Sequence, residues 1–139
     1  MTTFEQKEQA MEFFRYQGAE VGEQLESMPA QERDNLPYGI IKLDESGTIL
    51  EYNITESAIT GRNQSDVLGK NFFSDVAPCT KTPEFFGKFQ EAFENRFLNT
   101  VFDYLFDYQM EPVRVKIHMI YAKASAKGYV WVIVKRVLS

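Results

Sequence analysis

The chain has a single cysteine, Cys79, and it lies in the segment DVAPCTKTP. Pro78 fixes the backbone before it and lacks an N–H, and Thr80, Thr82 and Pro83 lead into a helix. A thiol just ahead of a helix N-terminus meets the positive end of the dipole, which favours thiolate. That suits a nucleophile or an acyl acceptor, although the same spacing also suits a buried, inert cysteine. Tyr52 and Glu56 are spaced i, i+4 where a strand gives way to a short helix. From spacing alone they read as a surface carboxylate beside a half-buried tyrosine. Thr60 and Arg62 flank Gly61 and fit an ordinary turn. The one histidine, His118, alternates with Arg114 and Lys116 on a strand face read as solvent-facing, so a Cys–His hydrolytic pair is not expected.

Composition narrows the classes further. One cysteine excludes an intramolecular disulfide, and one cysteine with one histidine argues against a structural metal site. A net charge of -5 and a pI near 4.9 disfavour nucleic acid and anionic membrane surfaces as partners. No apolar run approaches the roughly 20 residues that span a bilayer. The N-terminal MTTFEQKEQAMEFF does not read as a secretory signal, so a cytoplasmic protein is expected.

The elements that must position these residues follow from periodicity. Residues 1–37 read as a helical extension, with Phe4, Met11, Phe14, Val21, Leu25 and Met28 at helical spacing, Gly18 and Gly22 weakening it, and AQERDNL as a linker. Residues 38–139 read as the main domain. GIIKL and TILEYN flank the turn DESG as a hairpin. ITESAIT is a short helix stopped by Gly61, and NQSDVLG forms another turn. A longer helix opens with Thr82 as cap and Pro83 at its first position, and carries the stripe Phe85, Phe86, Phe89, Phe93 and Phe97. Three strands end the chain: 101–108, with Phe102, Tyr104, Phe106 and Tyr108 on one face, then 113–121 and 129–137, the last two joined at SAKG. The nearly continuous apolar run of 129–137 suits a central strand. This order predicts an α+β fold, a five-stranded antiparallel sheet with helices on one face.

At this point a resemblance carries weight. GKNFFSDVAPCTKTPEFFGKF (69–89) closely resembles the chromophore-attachment region of the photoactive yellow protein family. ILEYNITESAITGR (49–62), LNTVFDYLFDYQM (98–110), VKIHM (115–119) and YVWVIVKRV (129–137) resemble other parts of the same family, in order and at compatible spacing. The resemblance spans about residues 38 to 137 and is weak over the first 37. It implies a PAS-like fold and a blue-light photoreceptor rather than an enzyme. Cys79 matches the cysteine that holds 4-hydroxycinnamic acid (p-coumaric acid) as a thioester. Tyr52 and Glu56 match the pair that hydrogen-bonds its phenolate oxygen, Thr60 the hydroxyl that orients the tyrosine, and Arg62 the arginine that screens the pocket mouth. Ile41, Phe72, Val76, Ala77, Phe106, Tyr108 and Met110 match pocket-lining residues. Ser57 and Ala58 depart from the glycine and aspartate of the best-known members, and the SAKG turn is slightly longer than the familiar pattern.

The implied roles are chemically coherent. A buried phenolate is costly unless donors satisfy it, and Tyr52 with a protonated Glu56 could supply two short charge-assisted bonds. Glu56 must then stay neutral near neutral pH, which burial favours. The implied cycle is trans-to-cis isomerisation, proton transfer from Glu56, and local unfolding that starts in the N-terminal extension. The alternatives are a chromophore-free PAS-type ligand-binding or interaction module, and a thiol redox or cysteine-dependent protein. The resemblance does not name a downstream signalling partner, and a monomer or weak homodimer is expected.

Overall fold

The computed structural model describes residues 18–107 and 110–137, with side chains described from Val21 onward. The predicted segment carrying Phe4, Met11 and Phe14 lies outside the described residues, as does Tyr108. Helices α1 (Gly18–Ser27) and α2 (Ala30–Asp34) lead into strands β1 (Gly39–Leu43) and β2 (Ile49–Tyr52). Helices α3 (Ile54–Thr60) and α4 (Gln64–Val67) follow. A π-helical turn at Phe72–Val76, a 3-10 turn at Pro78–Thr80 and a second π-helical turn at Pro83–Gly87 lead directly into α5 (Lys88–Asn95). Strands β3 (Asn99–Phe106), β4 (Val113–Ala124) and β5 (Lys127–Arg136) complete the fold.

The five strands form one antiparallel sheet in the order β2-β1-β5-β4-β3. β5 lies at its centre, as its apolar run predicts. Val130, Val132 and Val134 enter one core, with Phe72, Phe73, Phe85 and Phe89, while Trp131 and Ile133 enter a second core with Val21, Leu25 and Ile120. A strand covered on both faces loses the polar half of its alternation.

The second core corrects the expectation of helices on one face only. α1 lies against β4 and covers the far face of the sheet through Val21 and Leu25. Gly22, which weakens the helical pattern in the sequence, permits that approach. A Cβ there would lie 2.9 Å from the Ala122 Cβ and 3.2 Å from the Ile120 Cγ2.

Three other local readings change. AQERDNL is not a bare linker, because Ala30–Asp34 is helical and Arg33 is buried. Thr82 makes no capping bond, and its hydroxyl instead lies 3.2 Å from the Tyr104 hydroxyl. The phenylalanine stripe stops short, because Arg96 turns left-handed (φ 53) after α5 and leaves Phe97 65% exposed. The predicted turns hold. Asp44 Oδ1 accepts from Ser46 N and Thr48 N at 2.9 Å, and Gly47 has a φ of 85° that glycine tolerates.

Candidate functional site

α3 begins where β2 ends. Asn53 caps it, its Oδ1 accepting from Glu56 N at 2.9 Å and from Ile40 N at 2.9 Å. The cap fixes the first turn, and that turn carries Glu56 inward to 1% exposure. Gly61, left-handed at φ 77, ends the helix and donates to Ser57 O.

Among the described residues, Glu56 is one of two with a buried side-chain oxygen that lacks a partner. Its Oε1 is buried without a hydrogen-bond partner. Gly39 on β1 makes room for it, since a Cβ at that position would sit 2.1 Å from Oε1. Desolvation raises the Glu56 pKa from 4.5 to about 8, with the Arg62 charge opposing it. Glu56 is therefore mostly a neutral acid at pH 7, with a proton to donate. Burial also pushes the Tyr52 phenol up, the Glu56 charge adds to this, and the Thr60 bond and Arg62 oppose it.

Tyr52 and Thr60 share a hydroxyl contact of 2.7 Å, and the Thr60 hydroxyl also lies 3.1 Å from Glu56 O. A threonine hydroxyl has one proton. If it serves Glu56 O, Tyr52 must donate to Thr60. If it turns to Tyr52, the phenol proton is free for a guest. The pair is thus a switchable donor.

Cys79 is held through its backbone. It lies inside the Pro78–Thr80 turn, with Thr80, Lys81 and Thr82 between it and the helical segment that starts at Pro83. The helical segment opens at Pro83 as expected, three residues beyond the cysteine's own turn. The Tyr104 hydroxyl donates to Cys79 O at 2.6 Å, and the fully buried Thr80 donates to Ala77 O at 2.6 Å. Asn71 accepts from Phe73 N and Ser74 N, shaping the turn that buries Phe72 and Val76.

These elements surround a narrow cavity of about 10 Å³, open at its mouth. Its lining is Tyr52, Glu56, Thr60, Arg62, Phe72, Val76, Ala77, Cys79, Phe106 and Met110. Arg62 Nη1 lies 3.5 Å from Met110 Sδ. Ile41 does not line the cavity; it is fully buried in the adjoining core, opposite Tyr52 in the β1–β2 register. Sequence reasoning missed Gly39, Asn53 and Tyr104. Asn53 before a helical run is a visible capping signal, whereas the roles of Gly39 and Tyr104 depend on contacts across the fold.

His118 is not solvent-facing. It is 6% exposed, and its Nε2 lies 2.6 Å from Asn99 Oδ1, so the proton sits on Nε2. Desolvation lowers its pKa from 6.5 to about 4. Its register partner Ile133 belongs to the far-face core, while Cys79 packs against the near-face core, so the sheet separates the two side chains.

The chemistry of the lining, not its volume, suits a small planar acyl group. It combines one thiol, aromatic walls, and two protonated oxygens, one on a carboxyl with an orphaned Oε1. The PAS fold family matches residues 27–136. A photoactive yellow protein from Rhodothalassium salexigens is 46% identical over 127 residues, covering 91% of this chain and all of that one. The chain belongs to the photoactive yellow protein family. A second photoactive yellow protein, from Halochromatium salexigens, is 46% identical over 126 residues, covering 91% of this chain and 99% of that one. The crystal structure of the photoactive yellow protein domain from a sensor histidine kinase of Rhodospirillum centenum superposes with a TM-score of 0.73 at 43% identity, covering 81% of this chain and 96% of that one. Within this photoactive yellow protein fold, the described residues hold no group of three His, Cys, Asp or Glu able to bind a metal. No described helix is long and apolar enough to cross a membrane.

Proposed function

We propose that this chain is a blue-light photoreceptor whose Cys79 carries a 4-hydroxycinnamoyl group as a thioester. The observation that carries the reading is the buried, neutral Glu56 with an unpartnered oxygen in the same cavity as Tyr52 and the lone thiol. Cys79 Sγ would form the S–C bond to an activated acyl donor, the thiol proton leaving with the activating group. When bound, such a group supplies visible absorption and a double bond that isomerises from trans to cis.

The remaining work falls to the chain. Tyr52 and Glu56 donate to a phenolate oxygen, with Thr60 turning its own proton to Tyr52 to free that donor. Arg62 at the lining offsets negative charge, and Phe72 and Phe106 exclude water. After photoisomerisation Glu56 gives up its proton. A carboxylate in so dry a place is costly, and local loosening relieves it. In this reading residues 38–139 form the chromophore-binding domain, and residues 1–37 the extension that responds. As the Rhodospirillum centenum relative is part of a sensor histidine kinase, a protein signalling partner fits the same role.

The test is an absorption spectrum after incubation with activated 4-hydroxycinnamic acid, before and after a blue flash. A visible band that bleaches and recovers, and that Cys79→Ser abolishes, supports the reading. A folded protein without a band points to a chromophore-free PAS module.

A further inference from the structure

A densely connected polar side chain lies outside the cavity. Arg33 on α2 is 9% exposed, and its guanidinium is nearly saturated. Nε donates to Glu51 Oε2 at 2.7 Å and Nη2 to Glu51 Oε1 at 2.5 Å, a two-pronged bond to β2. Nη1 donates to Leu25 O at 2.7 Å and also to Met28 O, the first of these in the last turn of α1 and the second just past it. Four of the five donors of the guanidinium are therefore used. The carbonyls at a helix C-terminus have no partners within the helix, so Arg33 supplies α1 with a cap. The guanidinium also stands 5.4 Å from the ring centroid of Trp131, the only tryptophan. A second clamp sits beside it, with Glu26 on α1 accepting from Lys42 and from Trp131 Nε1 at 3.0 Å.

The backbone of Arg33 leads to the cavity. Asn53 Nδ2 donates to Arg33 O at 2.8 Å and to Tyr38 O at 2.9 Å. The Oδ1 of the same amide accepts from Glu56 N. Two hydrogen bonds through one side chain thus join the residue that caps α1 to the residue that holds the buried proton.

We propose that Arg33 is a positioning residue that fastens α1 to the sheet and ties its docking to the charge state of Glu56. The fastening stands on the contacts alone, while the tie rests on the photoreceptor reading. A carboxylate formed at Glu56 displaces the first turn of α3. The Asn53 amide has no spare bond, so it passes that displacement to Arg33 O, and the fork to Glu51 and the α1 carbonyls loses alignment. A lysine cannot replace this arrangement, because one ammonium group cannot reach a carboxylate fork and two carbonyls together.

The test is amide hydrogen exchange resolved by segment, with Trp131 emission as a second reporter of the covered face. In the dark, without pigment, Arg33→Met and Arg33→Lys should speed exchange in residues 21–27 by about tenfold, the effect of one lost charged hydrogen bond, with β4 and β5 unchanged. Exchange in both variants within about twofold of the parent overturns the anchor. A fully protected Arg33→Lys alone overturns the need for the fork. If Arg33→Met fails to fold, Glu51→Gln keeps the carbonyl contacts and is read the same way, with a smaller gain expected and no gain counting against the anchor. With pigment bound, light should speed α1 exchange in the parent, not in Glu56→Gln, and with a diminished light–dark ratio in Arg33→Met. A full parental ratio in Arg33→Met overturns the tie. If no pigment forms, the photoreceptor reading and the tie fall together, and the dark measurement still decides the anchor.

Discussion

Glu56 makes the protein's stability depend on pH in an unusual direction. Its carboxyl is fully buried, one oxygen has no partner, and its pKa rises from 4.5 to about 8 on folding. A raised carboxyl pKa means that the folded state holds a proton which the unfolded state releases. The stability from that proton is fully present below about pH 4.5 and is lost as pH rises through about 8. The gap between the two values, at about 1.4 kcal/mol per unit, sets an upper bound of about 5 kcal/mol. Tyr52 does not blur the effect, because burial keeps its phenol protonated across this window. The assay is urea unfolding of the parent and Glu56→Gln, without added ligand, in steps from about pH 5 to about pH 9. Other titrations cancel in the difference. The stability of the parent relative to the variant should fall with a slope approaching about 1.4 kcal/mol per pH unit, then level off above about pH 8. A flat difference would mean that Glu56 is solvated or ion-paired in solution, and the reasoning about its neutral form would fail.

Three further outcomes are expected. In an NMR titration the lone imidazole of His118 should titrate with a midpoint below about pH 5, because burial lowers its pKa to about 4; a normal midpoint would contradict its burial under the far-face core. Gly39→Ala, whose Cβ would lie 2.1 Å from Glu56 Oε1, should cost about 1–3 kcal/mol in urea unfolding and alter the pH slope above, and an unaffected slope would separate Gly39 from Glu56. Gly22→Ala should destabilise by about 1 kcal/mol or more although alanine favours a helix, because its Cβ would meet Ala122 at 2.9 Å; a stabilised variant would show that α1 is not tightly docked.

The legible part of the fold was local or periodic. Gly61 ends α3 and Asp44–Gly47 makes the hairpin turn because turn and cap chemistry act over three or four residues. The central place of β5 followed from its composition, since a strand buried on both faces cannot alternate. The cavity residues were found through matched segments, and ten of those expected lie around one space. Their spacing alone placed Glu56 on the surface.

What tertiary structure decided was which faces are covered and which atoms meet. His118 alternates with Arg114 and Lys116 in the sequence, yet it is buried, because the covering of a strand face is set by elements distant in the chain. Gly22 weakens α1 as an isolated helix, yet its missing side chain lets α1 approach the sheet. Gly39 and Glu56 lie seventeen residues apart and touch only because β1 and α3 fold against each other. Arg33, in a segment read as a linker, finds Glu51 eighteen residues on. The sequence by itself determined the order of the strands, the turns and the one cysteine, since these depend on neighbours along the chain. Burial, with the pKa shift it imposes on Glu56, depends on neighbours in space, and so only the folded chain decided it.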